Sequence, residues 1–427
     1  MIVSMKYGAD TVSAPLSQAR CLGVLSATQR PALADAGAAL DAALNAPIGL
    51  RAPLSERFSP GDTVAIAVSD ASRHTGVDEV LPRLVSWLSE RGISEQRISF
   101  LVATGVHRPA TSDEQAHILG KSLYARFRAR VHNHNAHDAA ALVAVGVTSR
   151  GTVVTLNQRA CDCDHLILTG AAMPHYFAGF GGGRKALVPG LAGADTIAQN
   201  HARSLHPTAP TLGPRVQICV LDGNPVAEDL LEAAQLRPPT FIVNTVLGSN
   251  GSIIGVFAGE LNAAHRQACS LASEVYCVSV AEQADLVIAA TSDAPNFIQC
   301  HKALFNAYNA LKPNGRIILL APASEGLGGD GFRRYLEMGD PETVAAALRK
   351  CPDINGQTAL STLEKAPQAI LITELNEQDT ALTGASKSPS LENALQQVQR
   401  YFRDSGVSEP TCYLMPQAAY TVVRYEP

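Results

Sequence analysis

Aromatic side chains are scarce in this chain, and Trp87 is its only tryptophan. Long apolar runs are missing as well. None approaches the ~20 residues that a bilayer-spanning helix needs, so no membrane role is expected. The opening segment Met1–Gly8 has one lysine and no apolar core, and does not read as a secretory signal. The nine cysteines are odd in number and scattered singly, which argues against a disulfide framework. Cys161-Asp-Cys163 lacks the two-residue spacer of zinc and redox pairs, so these thiols read as structural. A reducing cytoplasm is the expected setting. Positive charge is not in excess: the formal net charge is −5, which leaves no electrostatic footprint for nucleic acid. No repeat of about 20–50 residues recurs. No G-x-G-x-x-G opens a helix after the first predicted strand. Lys185 is followed by Ala186, so no Gly-Lys-Ser/Thr phosphate loop is present.

What is present is the alternation of a parallel α/β protein. Thr63–Val68, Ile98–Ala103 and Asp164–Thr169 are apolar runs that each lead into a polar or glycine-rich loop. Residues 77–91 place Val80, Leu81, Leu84, Trp87 and Leu88 on one helical face. A shorter helix runs from Asp113 to Leu119 and is stopped by Gly120. The same grammar returns in strands at Asp285–Ala290, Gly315–Ala321 and Ala369–Thr373, with a loop over Thr291–Phe297 and a helix over Lys302–Leu311. With 427 residues and 46% apolar content, two domains are expected. The first spans 1–265 and the second, also α/β, spans 266–410. The end segment, 411–427, carries a further strand and is a candidate to return to the first domain.

Ligands in open parallel sheets bind beyond the C-terminal strand ends. Three such ends deliver chemistry here: Asp70 and Arg73, then Thr104 and His107, then His175 with the block that runs to Gly193. That block holds Gly179, Gly181, Gly182, Gly183, Gly190 and Gly193 beside Arg184 and Lys185. Glycine loses the most backbone freedom on folding. Its concentration beside two cations predicts a backbone cradle for a phosphate or cofactor. Asn200-His201 follows a short predicted helix, Ala192–Gln199. The cluster His132, His134 and His137 lacks a completing Cys or Glu and reads as a polar loop rather than a metal site. Trp87 reads as core.

In chain order, Ser69-Asp70-Ala-Ser-Arg73, Thr104-Gly-Val-His107-Arg-Pro, Pro174-His175 ahead of Phe177-Ala-Gly-Phe-Gly-Gly-Gly-Arg-Lys185-Ala-Leu-Val-Pro189-Gly190, Asn200-His201 and Asp222-Gly-Asn-Pro-Val226 resemble the nickel-dependent lactate racemase family. The glycine–lysine block with its preceding histidine is the most specific part. The resemblance implies an isomerase of two α/β domains with mainly parallel sheets flanked by helices and the active site in the interdomain cleft. It further implies a nickel pincer nucleotide, the pyridinium-3-thioamide-5-thiocarboxylic acid mononucleotide nickel complex, and partner proteins that make it. Lys185 then corresponds to the residue that tethers the cofactor through a thioamide, and His201 to a nickel ligand. His107 and His175 correspond to the two acid/base groups, and Arg73 to the arginine that holds the substrate carboxylate. Gln299 and Lys302 have the family's Gln-x-x-Lys spacing for the substrate. Asp70, Thr104, Gly181, Gly182, Gly183 and Arg184 are expected around the cofactor, Arg184 at its phosphate.

The chemistry is consistent with that assignment. Inverting a carbon that bears OH, H and carboxylate requires a planar intermediate. Loss of hydride to give a 2-oxo acid is an easier route than loss of a proton beside a carboxylate. No side chain accepts hydride, so a cofactor must. Each enantiomer needs its own base for the hydroxyl proton, and two histidines suffice. The chain departs from lactate racemase where substrate is touched. Ser69 and Ser72 replace an Asp and a Thr, Ile298 stands where a tyrosine is expected, and the second domain has no tryptophan. A larger or more polar 2-hydroxy acid than lactate is therefore expected. The alternatives are a nucleotide-dependent oxidoreductase or transferase and a non-catalytic ligand-binding homologue. Oligomeric state is left open.

Overall fold

Runs such as Val64-Ala-Ile-Ala-Val68 have no polar face, as suits strands covered by helices on both sides. In the computed structural model, which describes residues 1–291 and 294–426, such runs build two six-stranded sheets. Their strands are β1 (Arg20–Val24), β2 (Val64–Ser69), β3 (Ile98–Ala103), β4 (Val131–Asn133), β5 (His165–Ala171) and β6 (Phe241–Leu247), then β7 (Ile253–Gly259), β8 (Ala284–Ala290), β9 (Leu311–Leu320), β10 (Ala369–Ile372), β11 (Ser386–Lys387) and β12 (Thr411–Met415). The helices that matter below are α1 (Val77–Ser89), α2 (Ser112–Leu119), α3 (Ala194–Ala202), α4 (Pro225–Gln235), α5 (Leu261–Tyr276) and α6 (Phe297–Asn309). Ser292 and Asp293, within the loop expected over Thr291–Phe297, lie outside the described residues.

The first sheet has the order β7-β6-β5-β2-β3-β4 and is parallel except for the β6–β7 pair. The chain runs outward from β2 through β3 to β4, then resumes on the other side of β2 with β5. That reversal opens a crevice at the C-terminal ends of β2, β3 and β5. The second sheet is fully parallel, in the order β11-β10-β9-β8-β12-β1. The α/β class with mainly parallel sheets is thus as the sequence predicts.

The chain divides into two units, Gln29–Ser204 with Arg215–Val275, and Met1–Thr28 with Leu205–Pro214 and the residues from Tyr276 onward. This differs from the expected division at 265/266. Helix α5 stays with the first unit because its His265 bonds back to Gly181 and Arg184. The N-terminal residues belong to the second unit, where β1 pairs with β12. The C-terminal segment does not return to the first unit: β12 sits between β8 and β1, and Val422–Tyr425 pairs with Cys277–Val280.

The core of the first unit is built on α1. Val80, Leu81, Leu84, Trp87 and Leu88 are all buried, each contributing about 1.5–3 kcal/mol. Trp87 meets Phe58 edge-on at 5.6 Å and Phe241 at 6.1 Å, a core residue as predicted. Helix α6 begins five residues before the expected Lys302, because the Asn296 side chain caps it by accepting from the Gln299 amide. Gln299 and Lys302 therefore stand one helical turn apart, and both are exposed.

Candidate functional site

Three loops leave the crevice of the first sheet, and each is held by its own hydrogen bonds. After β2, Asp70 is 7% exposed. Its Oδ1 accepts from the Ser72 amide at 3.2 Å and from the Ser72 hydroxyl at 2.7 Å. Its Oδ2 lies 2.5 Å from His107 Nδ1. Burial works against the Asp70 carboxylate, yet the bonds from His107 and Ser72 hold its pKa below the ordinary value. An ionised carboxylate only accepts, so His107 presents Nδ1–H to Asp70 and keeps its basic Nε2 for chemistry. Asp70 was expected at the cofactor; its side chain bonds to His107 and Ser72.

After β3, the His107 amide donates to the Thr104 carbonyl at 3.0 Å, closing a tight turn. The Thr104 hydroxyl donates to the His134 carbonyl at 2.8 Å. Arg108 grips Glu114 with both terminal nitrogens, and Glu114 forms a capping box with Thr111 at the start of α2. His134 accepts from Asn157 at Nδ1, so Nε2–H donates to the Ala192 carbonyl at 2.9 Å. Both ring nitrogens of the middle histidine of the His132–His137 cluster are therefore committed, Nε2 tying this loop to the glycine-rich block and Nδ1 to Asn157.

After β5, Pro174–His175 pairs antiparallel with Gly179–Phe180. Gly182 and Gly183 then take φ of +73° and +50°. A Cβ on Gly182 would lie 2.9 Å from the Ala171 carbonyl, and one on Gly183 would lie 2.7 Å from the His265 ring. The amide of Gly181 donates to the Met173 carbonyl and that of Gly183 to Asn244 Oδ1. Two of the three amides assigned to an anion cradle are thus committed inside the protein. Close packing on β5, β6 and α5 accounts for the glycine run.

The two cations of the block point to different partners. Arg184 is buried, and its Nη1 donates to His265 Nδ1 at 2.9 Å. Burial pushes its pKa down to about 10. Its Nε and Nη2 make no hydrogen bond. Lys185 turns instead to His175, with Nζ 3.1 Å from Nε2. Burial first, then Arg73 and Arg184, hold the Lys185 pKa well below the ordinary lysine value. The Ala178 amide donates to His175 Nδ1 across 3.4 Å. That puts the ring proton on Nε2 and makes Lys185 Nζ the acceptor, a role only an uncharged amine can fill.

His201 was expected beyond a short helix; it lies inside α3, which runs to Ala202. Its Nδ1 is 2.8 Å from the Ile197 carbonyl one turn back. A carbonyl only accepts, so the proton is on Nδ1 and Nε2 is the basic nitrogen. Burial holds its pKa at about 3. Phe177 gathers these groups: its ring is 4.5 Å from His175 and 5.0 Å from His201 edge-on, with Lys185 Nζ 5.3 Å away. Arg73 is exposed, and its charge is felt at both Asp70 and Lys185. Asp70, Arg73, Thr104, His107, His175, the glycines, Arg184, Lys185 and His201 thus all belong to the first unit, whereas Gln299 and Lys302 belong to the second.

Of four supporting residues, only Asn224 lies in a motif quoted above, Asp222-Gly-Asn-Pro-Val226. Asn244 and His265 fix the glycine block, as above. Asn224 caps α4 and also donates to the Phe177 carbonyl at 3.0 Å. Asp229 on α4 is bonded to Asn200. Only Asn224 left a local signal, an Asn before a proline at the first helical position.

Residues 7–212 match the family model described as the lactate racemase N-terminal domain. The chain is 32% identical to a lactate racemase of Thermoanaerobacterium thermosaccharolyticum over 71% of this chain and 70% of that one. It is 30% identical to a lactate racemase of Lactiplantibacillus plantarum over 80% and 79%. The solved apoprotein of the Thermoanaerobacterium thermosaccharolyticum enzyme superposes with a TM-score of 0.88 at 25% identity, covering 99% of this chain and all of that one. A Thermotoga maritima protein shares the fold, with a TM-score of 0.63 at 19% identity over 87% of this chain and 96% of that one. With such identity over more than two thirds of two curated relatives, the chain belongs to the lactate racemase family.

Proposed function

We propose that this protein is a racemase or epimerase of a 2-hydroxy acid that works with a nickel pincer nucleotide joined to Lys185. The observation that carries the reading is the set around Phe177: an uncharged lysine amine, an imidazole with its basic nitrogen on Nε2, and a second imidazole beside the amine. These residues fit the group. An amine must be uncharged to be acylated, and burial, with Arg73 and Arg184 nearby, shifts Lys185 toward that form. A histidine metal ligand commonly donates its other N–H to a carbonyl, as His201 does to Ile197. No cluster of three metal-ligating side chains occurs among the described residues. That suits a metal whose remaining ligands come with its own organic group. When bound, the group supplies the electrophile that accepts and returns a hydride.

The chain's own residues supply the rest. Arg73 offers a planar fork for the substrate carboxylate. His107, oriented by Asp70, takes or returns the hydroxyl proton of one enantiomer. His175 does so for the other. Each serves as base in one direction and acid in the reverse. Gln299 and Lys302 are proposed to hold substrate oxygens. Ser72 is committed to Asp70, Ile298 packs against the second core and Trp87 lies in the first, so none offers the bulky contact expected around a lactate methyl. This supports a substrate larger or more polar than lactate.

The test is the intact mass and nickel content of protein co-expressed with and without the cofactor-making proteins. The expected result is a nucleotide-sized increment mapped to Lys185 and nickel in proportion to activity. Full activity without the increment or the metal would refute the reading. Assays on both enantiomers of lactate, malate, phenyllactate and sugar acids address the substrate. Lactate as the best of them would refute the preference for a larger acid.

A further inference from the structure

Helix α3 has only nine residues. Helices this short are marginal in water and keep their ends only by tertiary bonds. The bond from His201 Nδ1 to the Ile197 carbonyl spans the last turn, so the ring is no better fixed than that turn. The turn is tied to α4 and to residues 150–152 through Asn200 and Arg203, and one buried side chain joins both of these residues. Asp229, at the centre of α4, is fully buried. Its Oδ2 accepts from Asn200 Nδ2 at 2.9 Å and lies 3.3 Å from Arg203 Nε. Asn200 and Arg203 flank His201 on either side. Asp229 Oδ1 accepts from the Thr148 hydroxyl at 2.6 Å, and the Thr152 hydroxyl donates to both oxygens, at 3.1 and 2.9 Å. Thr152 in turn accepts from Arg203. A buried carboxylate is tolerated when donors surround it in this way. The same helix is tied at its first turn to the segment behind His175, through the bond from Asn224 to the Phe177 carbonyl.

We propose that Asp229 is a positioning residue for His201: through Asn200 and Arg203 it keeps the last turn of α3 helical, and so fixes which ring nitrogen His201 presents. The inference rests on the reading of His201 as a metal ligand only for its consequence in catalysis. The geometric part stands on the apoprotein.

The test uses full-length apoprotein with nitrogen-15 in its histidine side chains, His201 being assigned from the His201→Gln variant. Long-range proton–nitrogen correlation at neutral pH reports the tautomer. Wild type is expected to show His201 wholly as the Nδ1–H form. Asp229→Asn keeps the shape but removes the negative charge that faces Arg203 and one of the two acceptor oxygens that Asn200, Arg203, Thr148 and Thr152 share. It is expected to give His201 in mixed tautomers. In loaded enzyme the same variant should lose about 10–100-fold in nickel affinity or kcat, with KM little changed. A single Nδ1–H signal in Asp229→Asn would overturn the proposal. If that variant does not fold, Arg203→Met replaces it, and an unchanged His201 signal there has the same force. Leu336→Ala, a core change in the second unit, should lower stability and leave the His201 signal alone; mixed tautomers in that variant too would mean that any loss of stability frees the ring, and would also overturn it. A wild-type apoprotein with the expected tautomer that takes up no nickel when loaded would instead count against the proposed function, leaving this inference intact.

Discussion

Acid should dismantle the glycine block through His265, and the size of the effect can be worked out. His265 is fully buried on α5. Burial first, then the neighbouring Arg184 charge, holds its pKa at about 3. In the unfolded chain the value is about 6.5. Between those two values the unfolded chain binds a proton that the native one does not, so native stability falls as pH falls. The slope approaches about 1.4 kcal/mol per pH unit, and the loss from pH 7 to pH 5 comes to about 2 kcal/mol. Geometry agrees with the sign. Protonated His265 would hold two cations 2.9 Å apart at Arg184 and would lose its accepting nitrogen there. His265→Gln keeps a donor for the Gly181 carbonyl and cannot be protonated. Urea unfolding followed by the fluorescence of Trp87, which reports the first unit alone, measures the difference. The variant should be less stable at pH 7 for want of the imidazole's packing, but its further loss on going to pH 5 should be smaller than wild type's by about 2 kcal/mol. Equal losses in the two proteins would refute the reasoning, since the pH-independent cost of the substitution cancels in that comparison.

Other outcomes follow from the same contacts. Lys185→Ala should abolish the nucleotide mass increment while leaving the fold, and a variant that retains full occupancy would contradict the tether. Asp70→Asn removes a charge-assisted bond worth about 1.5–3 kcal/mol, so kcat should fall about 10–150-fold; a change within about twofold in steady-state assays would show that His107 needs no carboxylate. Gly183→Ala places a Cβ 2.7 Å from the His265 ring at φ +50°, with an expected cost of about 2–4 kcal/mol in urea unfolding. Arg73→Lys replaces a planar fork with a point charge and should raise KM for the hydroxy acid more than it lowers kcat; the reverse pattern would remove Arg73 from carboxylate binding.

Much of the first sheet was legible because its strands are unbroken apolar runs that end in polar loops. The amphipathic face of α1 and the stop of α2 at Gly120 were equally plain, since local composition specifies them. The division of the chain was not, because a short edge strand such as Arg20–Val24 reveals its sheet only through its partner β12, some 390 residues away. The residues of the site were legible by type and position, but their partners were not. Six glycines beside two cations suggested an anion cradle, whereas two of the central amides are spent on Met173 and Asn244. Arg184 and Lys185 looked equivalent, yet one is directed to α5 and the other to His175. Asp229 carried no signal at all, since a single aspartate within a helix is normally a solvated one.

What separates the histidines of the site is the atom facing each ring rather than anything in the rings. His107 faces a carboxylate, which keeps Nδ1 protonated and would stabilise the positive ring once Nε2 takes a proton. That is the environment of a general base. His201 faces a carbonyl in a buried pocket, which fixes the same tautomer but disfavours the charged ring. That is the environment of a ligand, which must stay neutral to bind a cation. His175 faces an amine, and the bond between them uses the lone pair of Lys185. Acylating that amine delocalises the lone pair into the new carbonyl-type group, so it can no longer accept from His175. Joining Lys185 to a cofactor would therefore release His175 from the lysine. On the proposed roles, the two histidines start from different states in the apoprotein: His107 is oriented by Asp70, whereas His175 is bonded to Lys185 until that amine has reacted.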